Sequence, residues 1–245
     1  LGLAALEAGS VDLVLSDLPS GETAAPFDKQ ADLDALFPAV WHALKPTGIA
    51  VLMASSLKFA MRAIEVEPEA YRYDLVWRKS LATGFYNAES RPLRAHEFVL
   101  VFWREKGAYH PQMWTGAVPI SANRPRLGDD LKSNHGANYG KGAKATRSRA
   151  GEMDRFPVSV LDFPCVPNNR HGKRVHPQQK PEGLLAHLVR TYSSRGDLVA
   201  DPYAGSGSTG RAATTEGRRF VGWELEQKFV DAAGSFTRSL FEVPV

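Results

Sequence analysis

Leu198-Val199-Ala200-Asp201-Pro202-Tyr203-Ala204-Gly205-Ser206-Gly207-Ser208-Thr209-Gly210 is the stretch on which the fold turns. Its first three residues are apolar and run into an acid, the pattern of a buried strand with polar chemistry at its end. Gly205, Gly207 and Gly210 then make a G-x-G-x-x-G turn that opens a helix through about Glu216. Glycines there let the main chain turn sharply and come close to a ligand. Arg219 to Trp223 reads as the next strand, and Glu224 stands at its end, where a carboxylate can accept hydrogen bonds from ribose hydroxyls. Strand, glycine turn, helix, strand and acid predict an α/β unit for an adenosine-containing cofactor.

A dinucleotide-binding domain that starts with such a turn needs several further strands after it. Here only a closing helix, Gln227 to about Leu240, and a short tail follow. The remaining strands therefore come from earlier residues. Val11 to Leu15 is a buried strand that ends on Ser16-Asp17-Leu18-Pro19-Ser20-Gly21. Asp32 to Leu44 has apolar residues at helical spacing and stops before Pro46, and Ile49 to Met53 is the next strand. A helix from about Leu57 to Ile64, strands Tyr71 to Trp77 and Glu97 to Trp103, and an amphipathic helix Pro181 to Tyr192 complete the ordered parts. Leu1 to Leu6 reads as the tail of a helix rather than a signal peptide. An acid-bearing strand end early in the chain and a cofactor loop late in it imply two halves in permuted order, which argues against a nicotinamide enzyme.

The 245 residues, 43% of them hydrophobic, suit one main core with an insertion. The lone cysteine, Cys165, cannot form an internal disulfide, and no apolar run approaches the roughly 18 residues of a membrane span, so a reducing cytoplasm is expected. Cys165, His171 and His176 are too few and too irregular for structural zinc, and no metal is expected. Net charge is only +3, so a nucleic-acid footprint has to come from local clustering. Residues 105–174 supply it. Arg124, Arg126, Lys132, Lys141, Lys144, Arg147, Arg149, Arg155, Arg170, Lys173 and Arg174 recur there among Gly, Asn and Ser with few acids. Such a block suits a phosphate backbone, the alternative being a solvated loop.

Taken together, these segments resemble the amino-methyltransferases of DNA in the permuted arrangement of the β class. Asp17-Leu18-Pro19-Ser20 looks like the family's catalytic D-P-P-Y element, and Asp201 to Thr209 is similar to its D-P-F-x-G-S-G-T. His176-Pro177-Gln178-Gln179-Lys180-Pro181 resembles its H-P-x-Q-K-P. Val76 to Lys79 and Arg94 to Glu97 resemble later strands, and Phe156 to Leu161 resembles the segment that closes the target-recognition insertion. The family's second proline is Leu18 here and its final aromatic is Ser20; the strand usually found ahead of the first helix is missing, which reads as truncation.

The resemblance implies a Rossmann-like, permuted S-adenosylmethionine-dependent methyltransferase fold. Residues 1–104 would be the catalytic half, 105–174 the target-recognition insertion and 175–245 the cofactor half. Asp201, Pro202, Tyr203, Gly205, Ser206, Gly207 and Thr209 would shape the methionine end of the cofactor pocket; Glu224 would take the ribose, and Gln179 and Lys180 would close the other side. Asp17, Leu18, Pro19 and Ser20 would form the catalytic element, with the Asp17 carboxylate and the Leu18 carbonyl accepting the two amine protons of a flipped base. Lacking an aromatic at Ser20, the base would stack on Phe27, Phe85 or Tyr86, for each of which a core role is the equal alternative. Arg94, His96, Arg124, Arg126, Lys141, Lys144, Arg147 and Arg149 would meet DNA; for Arg94 and His96 a structural salt bridge with Glu97 or a neighbour is the equal alternative.

The implied partner is double-stranded DNA, with no membrane; a homodimer and a cognate restriction enzyme stay open. An acid at position 17 goes with adenine N6 more often than with cytosine N4 in the resembling family. Methylation of RNA or of a small molecule, and a catalytically silent DNA-binding homologue, are the competing readings.

Overall fold

A computed structural model describes residues 2–22, 29–116, 152–166 and 179–237. A short 3-10 turn, Gly2–Ala5, stands where the tail of a helix was expected. The elements then run β1 (Val11–Asp17), α1 (Leu33–Ala43), β2 (Leu44–Ala54), α2 (Leu57–Val66), β3 (Tyr71–Thr83) and β4 (Arg94–Phe102). They continue with β5 (Trp114–Thr115), β6 (Asp154–Arg155), β7 (Val160–Asp162), α3 (Glu182–Tyr192), β8 (Leu198–Asp201), α4 (Ser208–Thr215), β9 (Arg219–Gly222) and α5 (Gln227–Thr237). Two compact units result, 1–110 with 158–245, and 111–157. In the smaller one β5 and β6 pair antiparallel, and Trp114 Nε1 donates to the Phe156 carbonyl at 3.2 Å.

The larger unit is built on a seven-stranded sheet of order β7-β3-β4-β2-β1-β8-β9, in which only β4 runs against its neighbours. Both faces are covered, so successive residues of a strand enter different cores. Val14, Ala50 and Leu52 pack with α1 and α2 on one face, while Leu13, Leu15, Val51 and Met53 pack with α3 and α4 on the other. This is why Leu13–Leu15 reads as an unbroken apolar run rather than an alternating one. Local chemistry sets the helix starts: the Asp32 carboxylate accepts Ala35 N at 3.1 Å and Ser56 Oγ accepts Phe59 N at 3.3 Å.

From β1 the chain crosses through α1 to β2 on one side, and from β8 it crosses through α4 to β9 on the other. The carboxyl ends of β1 and β8 therefore flank the switch point of the sheet, where an open α/β sheet leaves a crevice.

Further differences from the sequence expectation lie in the strands of the sheet. Strand β2 starts at Leu44, five residues before Ile49, because Leu44 pairs with Val11 and Lys45 to Gly48 bulge before the register resumes at Leu13 and Ile49. Strand β3 continues past Trp77 to Thr83, held by its ladder with β4; this extension has an exposed, polar-rich pattern with no core periodicity to announce it. Finally, Val160–Asp162, expected inside the insertion, joins the main sheet as an edge strand parallel to β3. Leu161 is buried in the core there, and Asp162 forms a two-pronged pair with the Arg78 guanidinium.

Candidate functional site

A cleft of about 740 Å³ opens at the switch point, within the usual range for small-molecule sites. Asp17 and Pro19 from the end of β1, Gln179 and Lys180 ahead of α3, and Asp201 to Ser206 with Ser208 and Thr209 line it. Glu224 and Glu226 lie on the far wall with Trp223, Leu225 and Phe229, and Lys29 to Asp32 border the rim. The catalytic and cofactor elements singled out in the sequence, 163 residues apart for the pair Asp17 and Lys180, thus face one space. No helix among the described residues is long and apolar enough to cross a membrane.

Asp201 is held by neutral donors. Ser16 Oγ donates to its Oδ1 at 2.6 Å and Tyr203 N at 3.0 Å. Burial raises its pKa to about 6, against the hydrogen bonds from Ser16, Thr209 and the Tyr203 amide, which pull it down.

Beyond Asp201 the chain turns through Gly205 and Gly207, both in the left-handed region at φ 53° and 75°. A Cβ on Gly205 would meet nothing within 4 Å; it would stand in open space on the cleft wall, so the bare backbone there is free to take a ligand close up. Gly207 is the N-cap of α4, whose first amides carry no side-chain cap and suit a carboxylate. Glu224 braces the same turn: its two oxygens accept Gly205 N at 3.0 Å and Glu226 N at 2.8 Å. A carboxylate offers about four lone-pair sites, so ribose hydroxyls can still be accepted. Glycine backbone, helix start and strand-end carboxylate fit an adenosine cofactor with a carboxylate tail.

Asp17 is held by a cation instead. Lys180 Nζ lies 2.5 Å from Asp17 Oδ2 and 3.3 Å from Glu97 Oε2, and Lys79 Nζ lies 2.5 Å from Glu97 Oε1. Burial raises the Asp17 pKa and outweighs the Lys180 and Lys79 charges that lower it. For Glu97 burial again pushes upward, but Lys180 and Lys79 outweigh it and hold the carboxyl below its usual range. Burial pushes Lys180 down, and the Asp17 and Glu97 carboxylates outweigh that and raise it.

The two departures from the D-P-P-Y pattern have structural partners. Leu18 is 4% exposed and packs in the core on the α1 face, so a leucine serves there as an apolar plug. Ser20 Oγ accepts from Ser55 Oγ at 2.7 Å. The guanidinium of Arg94 donates to the Ser55 carbonyl, tying β4 to this loop, and His96 is exposed and packs edge-on against Phe98 at 5.3 Å. Neither is bridged to Glu97, whose partners are the two lysines.

Phe85 and Tyr86 are 71% and 106% exposed in the 3-10 turn Phe85–Asn87 between β3 and β4, a turn with no buried residue, which corrects the core alternative for both. Phe27, His171, His176, Arg124, Arg126, Lys132, Lys141, Lys144, Arg147, Arg149, Arg170, Lys173 and Arg174 lie outside the described residues.

Sequence reading missed Lys79, Glu97, Ser16 and Trp223 as parts of the site. One signal was there: Glu97 is a lone acid leading directly into the apolar run Phe98 to Phe102, and a charge at the start of a core strand needs a partner.

Comparison with known proteins agrees with this architecture. A family model described as DNA methylase matches residues 26–235. The DNA adenine methyltransferase YhdJ of Escherichia coli strain K12 is 41% identical over 76 residues, a match that takes in 31% of this chain and only 26% of that relative. Among solved structures, the PvuII DNA methyltransferase, cytosine-N4-specific, superposes with a TM-score of 0.64 at 16% identity, over 94% of this chain and 80% of its own. The M1.HpyAVI–SAM complex gives 0.58 at 21% identity, over 91% and 87%. At those identities the two structures speak for the fold.

Proposed function

The chain belongs to the N6/N4 DNA methylase family, and from that premise we propose that it transfers the methyl group of S-adenosylmethionine to an exocyclic amine of double-stranded DNA, adenine N6 first. The observation that carries the reading is the shared cleft: Asp17 borders the same space as the Asp201–Thr209 turn and Glu224. Adenine is put first on two grounds, the acid at position 17 and the partial match to an adenine methyltransferase. Cytosine N4 is the alternative product.

Bound S-adenosylmethionine supplies an electrophilic methyl on a sulfonium. The protein's own residues supply alignment. An exocyclic amine is a weak nucleophile because its lone pair is delocalised into the ring. Asp17 accepts a hydrogen bond from one amine N–H and the Leu18 carbonyl from the other, which localises the lone pair and aims it along the line of transfer. Asp201, Pro202, Tyr203, Gly205, Ser206, Gly207 and Thr209 seat the methionine end, with its carboxylate at the start of α4; Glu224 takes the ribose, and Gln179 and Lys180 close the opposite wall. Leu18 and Pro19, wedged between the core and the cleft, keep the Asp17 strand end rigid.

Residues 105–174 are assigned to target recognition between the halves 1–104 and 175–245, with Arg124, Arg126, Lys141, Lys144, Arg147 and Arg149 on DNA phosphates and Arg94 and His96 nearer the base. Phe85 and Tyr86, exposed on the hairpin that Arg94 ties to the Ser20 loop, are candidates to stack on the flipped base. A second reading, a homologue that binds DNA without turnover, is favoured by Ser20 in the place of an aromatic. Incubation with isotopically labelled S-adenosylmethionine and random-sequence duplex DNA, followed by nucleoside mass spectrometry, decides among them. Labelled N6-methyladenine is expected; N4-methylcytosine alone would move the target, and duplex binding without label would support the silent homologue.

A further inference from the structure

Asp17, Lys180, Glu97 and Lys79 form a line of alternating charge that runs from the cleft into the protein. Asp17 is the open end, with 26% of its side chain exposed against 10% for Lys180, 9% for Glu97 and 10% for Lys79. The line closes on the Trp77 ring, whose centroid is 5.6 Å from Lys79 Nζ. Taking charged groups out of water costs on the order of several kcal/mol per ion, and mutual attraction seldom returns that as net stability. Structural economy therefore does not explain two enclosed lysines; what the line ends on does.

Resting on the methyl-transfer reading above, we infer that Lys79 and Glu97 are positioning residues that act through Lys180, holding the Asp17 carboxylate in place and setting how strongly it accepts a proton from the target amine. Lys180 takes Oδ2 of Asp17, so Oδ1 remains to meet the substrate. In the transfer, the amine lone pair forms the new N–C bond while the C–S bond breaks and its electrons stay on sulfur. The nitrogen then carries one proton too many. Asp17 receives that proton and releases it to solvent.

With Glu97 present, this step takes the four-residue line from neutral to one net positive charge. Without Glu97 the same step would start from one positive charge and end at two, in an enclosed site where like charges repel strongly. Glu97 thus keeps Asp17 basic, Lys180 keeps it ionised until transfer, and Lys79 restrains Glu97. The direction of each influence on Asp17 agrees: Lys180 and Lys79 lower its pKa, and Glu97 raises it. Among the described residues a further ionisable group beside it is Asp201 on β8, which is itself affected by the Asp17 charge.

The test uses the full chain with Glu97→Gln, Glu97→Asp and Lys79→Met. Glu97→Gln is expected to lower kcat at least about tenfold while KM for DNA and cofactor moves less than about threefold, and Glu97→Asp to recover part of kcat. Carboxyl 13C NMR reads Asp17 directly, its signal identified by its loss in Asp17→Asn and separated from that of Asp201 by Asp201→Asn. The Asp17 midpoint should move to lower pH in Glu97→Gln and to higher pH in Lys79→Met. A charge line that served only the fold would alter thermal stability and leave that midpoint in place, and an Asp17 midpoint shared by the parent and both variants would overturn the inference. Absence of methyl transfer in the parent would instead count against the proposed function, because the titration is read without turnover. Should Glu97→Gln fail to fold, Lys79→Met carries the midpoint comparison on its own, because Glu97→Asp keeps the carboxylate.

Discussion

Asp17 and Asp201 end adjacent parallel strands and border one cleft, yet they are held by opposite kinds of partner. Asp201 is 1% exposed and receives only neutral donors, the Ser16 hydroxyl and the Tyr203 amide foremost. Asp17 keeps an open side and leans on an ammonium that is itself paired to a second acid. One residue type in one structural position is thus held in two ways: a neutral-donor cage fixes Asp201 beside the turn that follows it, and an ammonium holds Asp17 while one side of it stays open to the cleft.

The largest effect should come from the open aspartate. On the proposed function, Asp17→Ala removes the carboxylate that would align the amine, and methyl transfer should fall by at least about a hundredfold, the scale of losing one preorganised transition-state contact. Single-turnover transfer of labelled methyl to duplex DNA measures it; full activity would place the chemistry elsewhere.

At Asp201 the expected signature is in stability. Its folded pKa of about 6 lies above the ordinary 3.8, so the folded state binds the proton more tightly than the unfolded chain does. The stability this group contributes is therefore complete below about pH 4 and is lost as pH rises to about 6, by about 3 kcal/mol at 1.36 kcal/mol per unit. Asp201→Asn cannot ionise, so the difference between parent and variant in denaturant unfolding should grow in the variant's favour from pH 4 to pH 6 and then stay level. A difference that does not vary with pH would mean that burial does not raise this carboxyl above its ordinary value.

On the cofactor side, Glu224→Ala should weaken S-adenosylmethionine binding by about 1.5 to 3 kcal/mol with the fold intact, since charge-assisted hydrogen bonds are lost. Titration calorimetry is the measurement, and unchanged affinity would remove Glu224 from the site. The smallest effect is expected at Gly205, whose φ of 53° any other residue adopts with strain; Gly205→Ala should cost about 1 to 2 kcal/mol in stability. Its new methyl would enter open space on the cleft wall, so cofactor affinity should fall with it. Calorimetry of the same variant that shows lost stability with full affinity would move the cofactor away from this turn.

Much of this is legible in the order of residues. Motifs at strand ends are local: an apolar run into an acid, glycines where φ turns positive, and an acid one strand later all mark their own positions, and Asp17, Asp201, Gly205 and Glu224 were found that way. Lys79 and Glu97 were not. Their pairing depends on the register of β3 on β4, with Trp77 opposite Glu97, and on α3 starting where Lys180 can reach between them. Phe85 and Tyr86 were ambiguous for a related reason, since aromatics at a hairpin tip carry no periodicity that separates exposed from buried.

From its order of residues alone, this chain declares a permuted α/β domain, the glycine turn with its helix, and the two acid-bearing strand ends, because each of these rests on backbone preferences and hydrophobic patterning within a few residues. Only the tertiary structure decides which charges meet. The Lys79–Glu97–Lys180–Asp17 line joins β3, β4, the approach to α3 and the end of β1; electrostatic coupling depends on distance and burial, and both arise only when segments far apart in the chain close on one cleft.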